Sequence, residues 1–189
     1  MSIVQKRIQE SIAVKQQLLE DSAQLAQIEA AAELIRHSLE CGGKVLFCGN
    51  GGSAADSLHL TAEFVGKFQK ERKALAAVSL NANISSITAI ANDYSYDMVF
   101  ARAVEALMKP EDVLVGISTS GNSENAYQAM LKAKEIGGIT VSLLGRDGGK
   151  IKKVSDIPII VPSECTARIQ ETHMMIGHII CEIVEDVKS

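Results

Sequence analysis

Residues 44–64 read KVLFCGNGGSAADSLHLTAEF. The run KVLFC (44–48) is short, apolar and closed by glycines, as a strand buried on both faces would be. Gly49-Asn50-Gly51-Gly52-Ser53 is a turn of small residues, and a helix is expected to open at about Ser53. A strand passed through a glycine turn into a helix is half of a β-α-β unit, so this stretch points to a parallel sheet.

The same alternation continues downstream. ALAAVSL (74–80) reads as a second strand, DVLVGIS (112–118) as a third, ITVSLLG (139–145) as a fourth and DIPIIVP (156–162) as a fifth. Between them, 82–108 reads as mostly helical with a break near Asn92-Asp93-Tyr94. A helix is expected from Ser123 to about Ile136, capped by Gly137-Gly138. Residues 147–154 suggest a short helix, and a long one fills about 165–187. Upstream, residues 3–40 contain no Gly or Pro. Val4, Ile8 and Ile12 form one helical stripe, and Leu25, Ile28, Ala32, Ile35 and Leu39 another, with the polar KQQ at 15–17 between them. Two helices, or one bent helix, are expected there, ending at Cys41-Gly42-Gly43. The sum is a doubly wound α/β fold: a five-stranded parallel sheet covered by helices, with an N-terminal helical extension over 1–40 and the α/β core over 41–189, forming a single domain.

Composition narrows the function. The chain has 189 residues and a formal net charge of −4, which argues against a nucleic-acid partner. The one basic run, KFQKERK (67–73), reads as a solvated segment beyond a helix end, where cations suit the dipole. Aromatics make up 4% with no Trp, so the core must be aliphatic. None of the four cysteines, Cys41, Cys48, Cys165 and Cys181, forms a C-x-x-C pair. The polar N-terminus lacks a signal-like apolar stretch and no run is long enough to span a membrane, so the cytoplasm is the expected address and no membrane partner is expected. The apolar faces of the N-terminal helices and of the last helix (Ile169, Ile176, Ile179, Ile180, Ile183, Val184, Val187) need covering. A neighbouring subunit or the chain's own sheet would serve.

In a doubly wound sheet, ligands sit beyond the carboxyl ends of the strands. Two such ends carry small polar loops: Gly49–Ser53, and Ser118-Thr119-Ser120-Gly121-Asn122-Ser123. Each leads into a helix, whose N-terminus favours an anion. Gly49-x-Gly51-x-x-Ala54 formally fits a dinucleotide pattern, but the second strand ends Ser79-Leu80-Asn81 without the acid that binds ribose. No Gly-Lys-Ser/Thr follows, as a P-loop requires. A sugar-phosphate site remains, against the plainer reading of two tight turns with capping serines. Two such loops at equivalent strand ends favour the sugar phosphate.

His59 and Glu63 are spaced i, i+4 and share a helix face. Gln170 and His178 in ARIQETHMMIGH (167–178) lie about 80° apart around an ideal helix, close enough to converge, while His173 faces another part of the surface. His and Glu at such spacing suit a divalent metal, an acid/base pair, or only a helix salt link.

Together, GNGGSAAD with His59 and Glu63, AND (91–93), GISTSGNS (116–123), LLGRDGG (143–149) and ARIQETHMMIGH resemble the sedoheptulose-7-phosphate (phosphoheptose) isomerases of the sugar isomerase, or SIS, fold group. The resemblance spans essentially the whole chain and implies a flavodoxin-like three-layer sandwich. It implies an aldose–ketose isomerase that converts sedoheptulose 7-phosphate to D-glycero-D-manno-heptose 7-phosphate through an enediol, the first step towards bacterial surface-polysaccharide heptose. Glu63 matches the family's base and His178 its acid. His59, Glu63, Gln170 and His178 match positions that bind zinc. Asn50, Gly51, Gly52, Ser53, Glu63, Asn92, Asp93, Ser118, Thr119, Ser120, Ser123 and Gln170 match substrate-contacting positions. A homotetramer with shared active sites is implied as well. Glu63 and His178 stand in two lists, and a metal-bound carboxylate is a weaker base. Related SIS proteins bind the bacterial replication initiator without this acid/base pair, and others sense sugar phosphates; Glu63 and His178 together favour the enzyme.

Overall fold

A computed structural model of the chain describes residues 1–185. Two helices lead, α1 (Ile3–Glu20) and α2 (Ser22–Glu40), so the break falls at Asp21 rather than in the polar stretch at 15–17. Asp21 closes α1 with its own N–H on the Leu18 carbonyl. Its carboxylate accepts from the N–H groups of Ala23 and Gln24 and so caps α2. Strands β1 (Val45–Gly49), β2 (Ala77–Ser79), β3 (Val113–Ser118), β4 (Ile139–Gly145) and β5 (Ile157–Val161) then alternate with helices α3 (Gly52–Val65), α4 (Ile84–Asp93), α5 (Val99–Leu107), α6 (Glu124–Ile136) and α7 (Thr166–Val184). Single 3-10 turns at Tyr96–Met98 and Ile151–Lys153 fill the break after Asp93 and the expected short helix after 147.

The sheet is parallel throughout, in the order β2-β1-β3-β4-β5. Successive strand residues serve opposite cores, as the pleat requires. Val45 and Phe47 of β1, with Val113, Val115 and Ile117 of β3, meet α2, α3 and α7. Leu46 and Cys48, with Leu114, meet α5 and α6. The order reverses at β1, so the chain leaves β1 and β3 towards opposite faces and the loops above these paired strands part. That switch point is where a doubly wound sheet opens a crevice, and both small-residue loops stand at it.

Several details differ from the sequence reading. The second strand is three residues, not seven, because β1 begins at Val45, which pairs with Ala77. Upstream of that register there is no partner, and the Leu75 N–H donates to the Phe64 carbonyl instead. The basic run 67–73 is not simply solvated. Arg72 is folded back over the end of α3, donating to the carbonyl oxygens of Glu63, Phe64 and Gly66. His173 is not on the surface: it is fully buried and its Nε2–H donates to the Leu144 carbonyl at 2.9 Å. Helix α7 lays Ile169, Ile176, Ile180 and Val184 against the chain's own core, while Val187 lies outside the described residues. The α1 stripe stays uncovered, with Val4, Ile8 and Ile12 at 63%, 55% and 60% exposure.

Candidate active site

The two loops above the switch point are tied together. Asn50, just beyond β1, and Asn125, in the first turn of α6, exchange side-chain hydrogen bonds of 2.7 and 2.9 Å. The Tyr96 hydroxyl donates to the Asn50 side-chain oxygen at 2.9 Å. Through Tyr96 the segment that ends α4 is drawn to the same place, and there Asn92 donates to the Asp93 carboxylate at 2.8 Å, both residues exposed. Ser118 is buried and shares a 2.9 Å hydrogen bond with Ser123, while Thr119 and Ser120 remain half-exposed. Ser53 is buried in the first turn of α3. The loop 118–123 carries hydroxyls and backbone N–H groups at a helix start, without a basic side chain, and so offers an oxyanion neutral donors.

Helices α3 and α7 pack against each other beside these loops and bring His59, Glu63 and His178 together. His59 Nε2 is 3.1 Å from Glu63 Oε1, and His178 Nε2 is 3.1 Å from His59 Nε2. One ligand-type atom from each of the three residues lies within 4.8 Å of the others. His59 Nε2 cannot donate its one proton to Glu63 and also accept from His178. Such a triad is a candidate site for a metal ion. Ligands bound to zinc at about 2.0–2.1 Å in a tetrahedron stand about 3.3–3.4 Å apart, close to the two 3.1 Å separations made by His59. His59 keeps 49% of its side-chain surface and Glu63 24%, so the cluster is open to a small molecule.

Gln170 reaches the site from the first turns of α7. Its amide packs against Gly52, where a Cβ would come within 2.2 Å of Nε2. The amide occupies the space a side chain at 52 would need, so glycine there is a matter of room. Near Gln170 lies Asp56, only 7% exposed, whose Oδ2 is buried with no hydrogen-bond partner among the described residues. Burial pushes the Asp56 carboxyl up from its ordinary value, while the Gln170 amide and the nearby His59 pull it back. A second close approach lies at the other end of the contact: a Cβ on Gly177 would meet Leu60 Cδ2 at 2.6 Å. The residues flanking these two contacts, His59 beside Leu60 and His178 beside Gly177, are thereby placed opposite each other.

Of the residues expected in the site, His59, Glu63 and His178 are in mutual contact, Gln170 sits against Gly52, and Asn50 bridges to Asn125. The side-chain oxygen of Asn50 is already committed to Asn125 and Tyr96, which limits what it offers a ligand. Asp56, Tyr96 and Asn125 were not singled out from the sequence. Asp56 was within the quoted motif, but only its burial marks it; Asn125 and Tyr96 matter through tertiary hydrogen bonds that no spacing announces.

Comparison with known proteins agrees with this geometry. A family model described as SIS domain matches residues 8–145. The phosphoheptose isomerase of Clostridium acetobutylicum is 54% identical over 97% of this chain and 94% of its own, and that of Aquifex aeolicus is 47% identical over 97% and 95%. The structure of phosphoheptose isomerase GmhA from Neisseria gonorrhoeae superposes with a TM-score of 0.89 at 44% identity, covering 97% of each chain. With the crevice at the switch point and two neutral loops above it, these relationships place the chain in the phosphoheptose isomerase family of SIS-domain proteins.

Proposed function

We propose that the protein interconverts sedoheptulose 7-phosphate and D-glycero-D-manno-heptose 7-phosphate. The observation that carries the reading is the convergence of Glu63 and His178 from two different helices; the loop of neutral donors after β3 suits a phosphate. In the ketose-to-aldose direction, the Glu63 carboxylate takes a proton from C1 and returns it at C2. His178 Nε2 gives a proton to the carbonyl oxygen on C2 and takes one back from the C1 hydroxyl as the aldehyde forms. The intermediate is an enediol, and each group needs to move only one proton over a short distance. Ser118, Thr119, Ser120 and Ser123 hold the phosphate in this reading. Asn50, Gly51, Gly52 and Ser53 hold the reacting end with Gln170, and Asn92 and Asp93 approach from the α4 side.

His59, Glu63 and His178 offer nitrogen and carboxylate donors that fit zinc, and the family resemblance supports Gln170 as a further ligand. A bound zinc ion would polarise the sugar oxygens, but on His178 Nε2 it would leave that atom no proton to give, so in this reading the proton transfer belongs to the metal-free site. We further propose that the protein is a cytoplasmic homotetramer, that residues 1–40 help to build the assembly, and that the product feeds heptose for lipopolysaccharide or capsule. The exposed α1 stripe supports the assembly, and the membership of one family supports the rest. Among the described residues no helix is long and apolar enough to cross a membrane.

One experiment tests the core of this reading. Wild type incubated with sedoheptulose 7-phosphate is expected to yield the aldose, and Glu63→Gln to lose turnover by about a hundredfold or more while retaining the wild-type assembly. Elemental analysis of both, purified without chelator, is expected to find less zinc per chain in the variant. Near-normal turnover in Glu63→Gln would remove Glu63 from its role.

A further inference from the structure

The segment after α3 has no part in the site as described so far, yet it touches the acid directly. The Phe68 ring lies on the His178 imidazole, centroids 5.2 Å apart and planes inclined by 28°. Phe68 is held from behind by its own backbone. The N–H groups of Phe68, Gln69 and Lys70 all donate to the carboxylate of Glu185, at 2.9, 2.9 and 3.1 Å to Oε1. Three successive N–H groups around one carboxylate form a backbone nest for an anion. Glu185 stands just past the end of α7, its side chain has no exposed surface, and Arg72 Nε is 3.6 Å from the same carboxylate. Arg72 in turn donates from its guanidinium to the carbonyl oxygens of Glu63 and Phe64 at the end of α3. The ends of the two helices that carry the triad are therefore joined through one buried anion. Burial works against the Glu185 carboxylate, but the three N–H groups and Arg72 outweigh it and hold its pKa below the ordinary value.

An imidazole on a helix can turn about two side-chain torsions, and only one orientation aims Nε2 of His178 at the reacting oxygens. Among the described residues its other ring contact is with His59, tilted by 46° and itself half-exposed. A flat aromatic surface on one face of the imidazole removes the competing orientations, because turning the ring would break the stack.

We propose that Phe68 is a positioning residue for the isomerisation: its ring, fixed by the Glu185 nest, sets the plane of the His178 imidazole. The proposal rests on the reading of His178 as the acid. It explains why a segment of high charge folds back onto the site rather than into solvent. It also gives Glu185, at the end of α7, a function at a distance, because removing the carboxylate frees the backbone that carries Phe68.

The test compares Phe68→Leu, Phe68→Tyr and Glu185→Gln with wild type, by steady-state turnover of sedoheptulose 7-phosphate and by the ring-proton signals of His178, assigned with His178→Gln. Phe68→Leu keeps the volume but not the plane. It is expected to lower kcat about tenfold to a hundredfold with KM changed less than about threefold. Phe68→Tyr keeps the plane and is expected to restore kcat to within about threefold of wild type. Glu185→Gln is expected to lower kcat in the same sense as Phe68→Leu. The His178 ring protons, shifted upfield by the stacked ring in wild type and in Phe68→Tyr, are expected to move back downfield in Phe68→Leu. Wild type turning over with Phe68→Leu equal to it in kcat would overturn the proposal alone, as would a loss that Phe68→Tyr fails to rescue. A wild type with no turnover at all would overturn the functional reading beneath it.

Discussion

His173 and His178 sit five positions apart on one helix and have opposite fates. His178 faces the site, half-exposed, beside His59. His173 is sealed against β4, its Nε2–H spent on the Leu144 carbonyl and its Nδ1 without a partner among the described residues. Burial drives its pKa from 6.5 down to about 4. The imidazole is therefore neutral in the fold over a range in which the unfolded chain binds a proton. Stability is undiminished above about pH 6.5 and falls as the pH drops from there towards 4, by roughly 3 kcal/mol across the window. Urea titrations between pH 7 and 5 are expected to show about 2 kcal/mol of this loss, and His173→Gln, which keeps a donor for Leu144 without a titrating ring, is expected to flatten it. An unchanged slope in the variant would assign the loss elsewhere. The i, i+4 pairing of His59 and Glu63 was legible in the sequence because helix geometry is local. The burial of His173 and of Asp56 was not, since it depends on which face of α7 and α3 meets the sheet.

The crossing of α3 and α7 is the structural event that makes a site out of two separate motifs. Glycines sit at both ends of it, Gly52 under the Gln170 amide and Gly177 under Leu60. Leu60 is itself only 2% exposed, so it has little room to retreat. Gly177→Ala improves helix propensity by about 1 kcal/mol but forces the two helices apart or Leu60 out of its rotamer. A net destabilisation of about 1–3 kcal/mol is expected in urea, with turnover reduced further than the folded fraction accounts for. A variant as stable and as active as wild type would show that the approach is not needed. The elements themselves were readable from hydrophobic period and glycine punctuation, and β4 matches its expected span residue for residue. The β2 span was not, because an edge strand ends where its partner's register ends. Nor was the fold-back of residues 66–73, which is built from a carboxylate more than a hundred residues away in the chain.

At the scale of the molecule, the uncovered α1 face remains to be explained. Val4, Ile8 and Ile12 stand in a row in water, while the α2 stripe beside them is buried through Ile28, Ala32 and Ile35. A contiguous apolar row of this kind marks an interaction surface, and in the proposed tetramer it is covered by another copy. Ile8→Glu is expected to sediment as a smaller species than wild type while keeping its far-ultraviolet circular dichroism; unchanged sedimentation would take α1 out of the assembly. The doubly wound order followed from the alternation of strands and helices, but the sequence alone did not reveal that the crevice is riveted shut at one point. The paired amides of Asn50 and Asn125 are uncharged and bind each other twice, so neither pH nor salt loosens them. They fix the span between the Gly49–Ser53 turn and the Ser118–Ser123 loop. In the proposed reading, a sugar phosphate held by both loops meets a distance set by this amide pair, one that does not change with the charge state of the site.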